Sequence, residues 1–127
     1  DTQWNTDTGA TSCMTPHRHW IQDMAPCCIP VCIATDEVVY ALGKGSVLFQ
    51  PVVGGIKLCP VLFSRVLYVP DINNNLFAVI SLAQKRDVTT QFSKNGVSFT
   101  QDGKQFMTAT YYNKAAFLDG HTIPASG

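Results

Sequence analysis

Two dipeptides, Asn95-Gly96 and Asp102-Gly103, each separate runs in which apolar and polar residues alternate. Such pairs take positive φ at little cost, and the turn they form matches the twist of two antiparallel strands, so they predict hairpins. The same punctuation recurs upstream. "VCIAT" (31–35) and "EVVYAL" (37–42) are β-branched or aromatic runs on either side of Asp36, which predicts a hairpin there. Gly43 and Gly45 around Lys44 predict a bend or bulge between strands, Gly54-Gly55 a turn, and "SRVLYVP" a strand ending at Pro70. "ATYYNKAAFLDG" offers one further strand, and residues 117–127 read as a flexible tail. One segment breaks the pattern. In "NNNLFAVISLAQKRD" (73–87), Leu76, Val79, Ile80 and Ala83 recur at three- and four-residue intervals, an Asn stands before them as a cap, and Lys85-Arg86 occupy the last turn. The expected fold class is all-β with one short helix.

A chain of 127 residues holds one core and is too short for two comfortable domains, so residues 1–127 are expected to form a single unit. Nine Lys and Arg balance nine Asp and Glu with no basic block, which removes the long-range attraction of a nucleic-acid or anionic-membrane binder. Neutrality combined with 46% hydrophobic residues favours self-association. The apolar runs are far below bilayer-spanning length, and the first residues lack the features of a signal peptide. A chain that opens on Asp1 without Met is expected to be a piece of something longer. Cys13, Cys27, Cys28, Cys32 and Cys59 form an odd set without zinc-type spacing, and they read as reduced intracellular thiols and small buried hydrophobes rather than metal ligands. Neither a phosphate loop nor a nucleophile elbow is present, and no cofactor is expected.

Asp7-Thr8-Gly9 is the one triplet with catalytic chemistry open to it. It is also a common turn, because the carboxylate can accept local backbone N–H groups and Gly supplies freedom. Peptide hydrolysis by carboxylates works best with two that share a proton, one taking a proton from water while the other donates to the carbonyl oxygen. With one triplet per chain, the choice lies between no such chemistry and an obligate homodimer that brings two copies of Asp7 to a twofold axis. In that dimer Gly9 would let two loops approach, Thr8 would send its hydroxyl across to the opposite backbone, and Ala10 would leave room for substrate. His17 and His19 read as surface or packing residues, and Phe77 and Leu82 as core.

Several longer stretches then occur in a set order: Trp4, "DTGATSCMTPH" (7–17) with Trp20 after it, "ATDEVVYALGKGSV" (34–47), "VLYVPDINNNLFAVISLAQK" (66–85), "TQFSKNGVSF" (90–99) and "QDGK" (101–104). In these the chain resembles the aspartic protease domain of Ty1/copia-type retrotransposon polyproteins, a branch of the retropepsin-like proteases. The resemblance implies a retropepsin-like, single-lobe acid protease fold closed as a homodimer. Asp7 would be catalytic, with Thr8, Gly9 and Ala10 supporting its loop. The hairpin tip at Ala34, Thr35, Asp36 and Glu37 would be a flap over bound substrate. The implied activity is endopeptidase cleavage of extended polypeptide, the parent polyprotein first, using an activated water and no metal or cofactor. It would act in the cytoplasm or inside virus-like particles, with neither nucleic acid nor membrane as partner. The chain departs from the pattern at Thr8, where the family more often has Ser, at Thr6, where an aliphatic residue is usual, at Glu37, where Gly commonly follows the acidic flap residue, and at Ala78, where retroviral relatives have Gly. The alternative is a catalytically silent domain retained for dimerisation or peptide binding, with Asp7 capping a turn.

Overall fold

A computed structural model describes residues 2–33, 35–83 and 87–125. The described strands are β1 (Trp4–Asp7), β2 (Met14–Thr15), β3 (Ile21–Cys32), β4 (Val38–Val53), β5 (Ile56–Lys57), β6 (Val61–Tyr68), β7 (Asn75–Ala78), β8 (Val88–Phe92), β9 (Gly96–Gln101), β10 (Lys104–Tyr112), β11 (Ala115–Leu118) and β12 (Gly120–Ile123). A four-residue helix, α1 (Ile80–Ala83), and a 3-10 turn at Arg18–Trp20 complete the set. The strands form one sheet ordered β12-β4-β6-β2-β7-β1-β11-β10-β9-β8, with β3 and β5 also paired to β4. The chain is thus predominantly β with one short described helix, and its sheet is not closed.

The local chemistry explains most of these elements. Asp102 and Gly103 both take positive φ, 53° and 78°, as a tight turn between antiparallel strands requires. The hairpin near Asn95 forms as well, but one residue early: the Ser93 N–H donates to the Gly96 carbonyl at 2.9 Å, so Lys94 and Asn95 are its central pair. Gly96 instead opens β9, where any Cβ would run into the Ala109 carbonyl oxygen. Asn113-Lys114, with φ of 49° and 67°, makes a further turn between β10 and β11 that no glycine announces.

Gly43 and Gly45 lie inside one continuous strand rather than between two. The bulges fall on its neighbours: β3 carries an extra residue between Gln22 and Ala25, and β6 one between Phe63 and Val66. Asp23 and Arg65, within those bulges, both have positive φ. Gly45 is needed for contact, because a Cβ there would lie 2.5 Å from the Gln22 carbonyl oxygen.

The segment expected to be helical from residue 73 is strand in its first half and helix in its second. Asn75–Ala78 form β7, parallel to β1 from Trp4↔Asn75 to Asp7↔Ala78, and only Ile80–Ala83 are helical. Burial on both sides decides this, since a central strand flanked by β1 and β2 reads as a continuous apolar run and mimics a buried helix. Lys85 and Arg86, expected in its last turn, lie outside the described residues. The expected tail is also structured as far as Ile123. Phe117–Leu118 belong to β11, and β12 pairs with β4 from Gly120↔Pro51 to Ile123↔Leu48. The Trp4 indole N–H donates to Thr122 Oγ1 at 2.8 Å, which ties that end to β1.

The main core is a run of touching rings. Phe63 meets Trp4, Phe49 and Phe77 with centroids 5.4, 5.5 and 4.8 Å apart, and Phe77 meets Phe99 edge-on at 5.9 Å. A smaller core of Met14, Val31, Val39, Ala41, Leu67 and Val69 lies under the β3–β4 hairpin. Phe77 and Leu82 are buried, as expected of core residues.

Candidate active site

Asp7 is the last residue of β1, and both neighbours of that strand hold it. Thr6 Oγ1 donates to the Ala116 carbonyl at 2.8 Å, and the Val79 N–H donates to the Asp7 carbonyl at 3.3 Å. The polar Thr6 therefore has a structural use. The Gly9 N–H donates to Asp7 Oδ1 at 2.8 Å, which closes an Asx turn and orients the carboxylate. Asp7 Oδ2 makes no hydrogen bond among the described residues.

Thr8 and Gly9 are exposed, and Ala10 is half-buried against the main core. A Cβ on Gly9 would meet only Asp7 Oδ1, at 3.4 Å, so nothing else in the described chain demands glycine there. Cys13 anchors the return of the loop, because its Sγ accepts the Ala78 N–H at 3.3 Å. Ser81 Oγ donates to the Ala78 carbonyl at 2.6 Å, and Ala78 itself is fully buried opposite Asp7.

Farther back, Asn75 organises the strands beneath the loop. It is fully buried, accepts the Thr15 hydroxyl on Oδ1 at 2.6 Å and donates from Nδ2 to the Gln3 carbonyl at 3.0 Å. That joins β2, β7 and the entry to β1 through one amide.

A groove of about 860 Å³ runs past this loop. Asp7, Gly9 and Ala10 form part of one wall, and Ile29, Val31 and Thr35 of the β3–β4 arm form part of another. Leu67 and Leu76 line it as well, so it is mainly apolar near one oriented carboxylate. The structure therefore brings the sequence-predicted Asp7 loop and hairpin to a single cleft. Within the hairpin, Thr35 borders the groove, Asp36 and Glu37 are exposed at the tip, and Ala34 lies outside the described residues. The tip is a turn with Asp36 at φ 65°, its N–H donating to the Ile33 carbonyl at 2.9 Å.

Sequence reasoning missed the stretch Ile29–Ile33 and the loop residues Asp71, Asn73 and Asn74, all of which line the groove. Pro30 carried a usable signal. The Ile33 N–H bonds the Glu37 carbonyl, and from that register the nitrogen of Pro30 points away from β4, where a missing donor costs the sheet nothing. Thr11 and Ser12 separate this groove from a second cavity of about 540 Å³ that Ser64, Arg65 and Ser81 also line.

Only Cys13 of the five cysteines is buried; Cys27 is half-buried, and Cys28, Cys32 and Cys59 are exposed. The expectation of buried thiols fails at Cys28 and Cys32, on the outward face of β3, and at Cys59, in the link between β5 and β6. Among the described residues no group of three or more His, Cys, Asp or Glu is placed to hold a metal ion, and no helix is long and apolar enough to cross a membrane. His17 packs on the Trp20 ring with centroids 4.2 Å apart, and burial lowers its pKa below the ordinary 6.5.

These features define a predominantly β domain whose mixed sheet carries an Asx-turn carboxylate beside a mainly apolar groove. Residues 4–87 match the family described as Pol polyprotein, beta-barrel domain, and the chain belongs to that family, a region of retroelement polyproteins. No curated protein and no solved structure matches the chain.

Proposed function

We propose that the chain is the aspartic endopeptidase of a retrotransposon polyprotein of the Ty1/copia type, with a retropepsin-like fold, and that it works as a homodimer in which the two copies of Asp7 form the catalytic pair. The observation that carries this reading is the Asp7 carboxylate, oriented by the Gly9 N–H, in the same groove as the β3–β4 arm. The exposed Thr8 and Gly9 support it, since the described chain gives neither a reason to be Thr or Gly and a second copy would.

In the pair, one carboxylate takes a proton from water as the water oxygen bonds to the peptide carbonyl carbon, and the other protonates the carbonyl oxygen. The tetrahedral intermediate then breaks its C–N bond, and the amine leaves with a proton from the dyad. Substrate would lie extended between the Asp7 loop and the arm, with apolar side chains against residues such as Ile29 and Leu76, and the parent polyprotein is the natural source.

The test is cleavage of extended apolar peptides by the purified chain and by Asp7→Asn. Asn keeps an Oδ1 to accept the Gly9 N–H, so folding is expected to be unchanged and hydrolysis to vanish. Undiminished cleavage by a pure Asp7→Asn sample would remove Asp7 from the mechanism. An inactive, well-folded wild-type chain that still dimerises would favour the silent dimerisation or binding module.

A further inference from the structure

The bulge in β6 turns two consecutive residues out of the core. Phe63 pairs with Val47 and Val66 with Gly45, so β6 spends one residue more than β4 over the same distance. Phe63 and Val66 are both buried in the main core, whereas Ser64 and Arg65 between them are both exposed and both line the second cavity, of about 540 Å³. Bulges beside functional sites re-aim side chains in this way. Arg65 takes φ 57°, a left-handed conformation that a residue with a Cβ seldom adopts and that recurs where a side chain clamps a ligand.

Thr11, Ser12, Ser64 and Ser81 bring hydroxyls to that cavity, Arg65 brings a guanidinium, and no Asp or Glu is among its described lining residues. Ser81 is committed to the Ala78 carbonyl. The side chains of Thr11, Ser12, Ser64 and Arg65 make no hydrogen bond or ion pair among the described residues, so the donors they carry are open. Asp23, in the β3 bulge on the other side of β4, does not line the cavity. A fork of N–H donors with hydroxyls beside it and no competing acid fits a carboxylate, which accepts two parallel bonds from a guanidinium.

Thr11 and Ser12 also line the groove that holds Asp7, so the two cavities share a wall. We propose that the second cavity takes the acidic side chain, Asp or Glu, of an extended peptide whose apolar part lies in the groove, and that Arg65 reads it. Successive side chains of an extended peptide point to opposite sides at intervals of ~3.3 Å, so a residue just past the groove can drop its carboxylate beyond the Thr11–Ser12 wall. The groove itself is lined by Asp7 and Asp71 and by no described Lys or Arg, so like charge disfavours an acidic residue there and leaves the Arg65 cavity as the place for one. The inference rests on the groove binding extended peptide, and it holds whether or not that peptide is cut.

The experiment follows the fluorescence anisotropy of labelled peptides on the full chain carrying Asp7→Asn, so that bound peptide stays whole. The peptides share one extended apolar core, and in each pair a single flanking position carries Glu or Gln. At one flanking position Glu is expected to bind about tenfold more tightly than Gln, as a charge-assisted bond to an open guanidinium allows. Adding Arg65→Gln should remove that advantage and leave the affinity of the Gln peptide unchanged, an outcome that a structural role for Arg65 would not give. Arg65→Gly, whose backbone suits φ 57°, should do the same, and Lys104→Gln, which removes a charge on β10, should keep the advantage. No binding of any peptide, or a Glu advantage that survives Arg65→Gln and Arg65→Gly, would overturn the proposal. So would equal binding of Glu and Gln peptides at every position, and inorganic phosphate that then bound in an Arg65-dependent way would assign the cavity to a free anion. Cleavage is read separately on the wild-type chain: peptides that bind with this preference but stay whole would sink the protease reading and leave this one standing.

Discussion

Asn75 has no exposed surface, and its amide is used on Thr15 and on the Gln3 carbonyl. Asn75→Leu keeps the bulk but leaves a buried hydroxyl and a carbonyl without that partner, at ~1–3 kcal/mol for each group left unsatisfied. Urea unfolding should show a midpoint shift of that sign, and a shift near zero would mean that neither group needs Asn75. His17 gives a prediction in pH. Burial lowers its folded pKa below 6.5, so in the window beneath 6.5 the unfolded chain binds more protons than the folded one. Its contribution is therefore intact above 6.5, is lost as pH falls through that value, and levels off once the folded group is protonated too. His17→Gln should reduce the stability lost between about pH 7 and pH 5, read as the difference between two urea titrations. Asp7 was legible in the sequence because its turn is made by a neighbour two residues on. Asn75 was not, because its partners lie 60 and 72 residues away and the same letter also serves as a helix cap.

Among the elements, hairpins were the readable part, since a turn is a local decision between adjacent residues. The β3–β4 arm and the β9–β10 turn at Asp102-Gly103 fell where the residues put them, whereas the turn before Gly96 moved by one because Gly96 faces the Ala109 carbonyl. Central strands were harder to read. Leu76, Phe77 and Ala78 carry no alternation because β7 has neighbours on both sides, and a helical period can be drawn from them into Val79 and Ile80. β12 was missed for a related reason: "HTI" between Gly120 and Pro124 is too short to announce a strand, and only its pairing with β4 makes it one. Truncation after Leu118 is therefore expected to lower the melting temperature sharply, because it uncovers β4 from Leu48 to Pro51 and removes the acceptor of the Trp4 indole. Thr122→Val tests the second part alone and should cost ~1 kcal/mol. A truncated chain that melts with the full one would show that β12 adds nothing.

At the scale of the whole molecule, the proposed pairing of Asp7 across two copies predicts how activity varies with pH and concentration. Two carboxylates in contact hold one proton between them only within a window, so cleavage of a peptide without titratable groups should follow a bell with its maximum on the acidic side of neutrality. Ionisation of both would also oppose assembly. Running the profile at two protein concentrations separates the causes, since a limb that moves with concentration belongs to assembly and a fixed one to the dyad. Flat activity into alkaline pH, independent of concentration, would contradict the shared proton. The bond between Trp4 and Thr122 bears on time as well as stability, because it joins residues 118 positions apart. Contacts of such long sequence separation form late and slow folding. A ribosome must release almost the whole stretch between them before β1 and β12 can meet, so the Trp4 end of β1 stays without its tie until Thr122 has been translated.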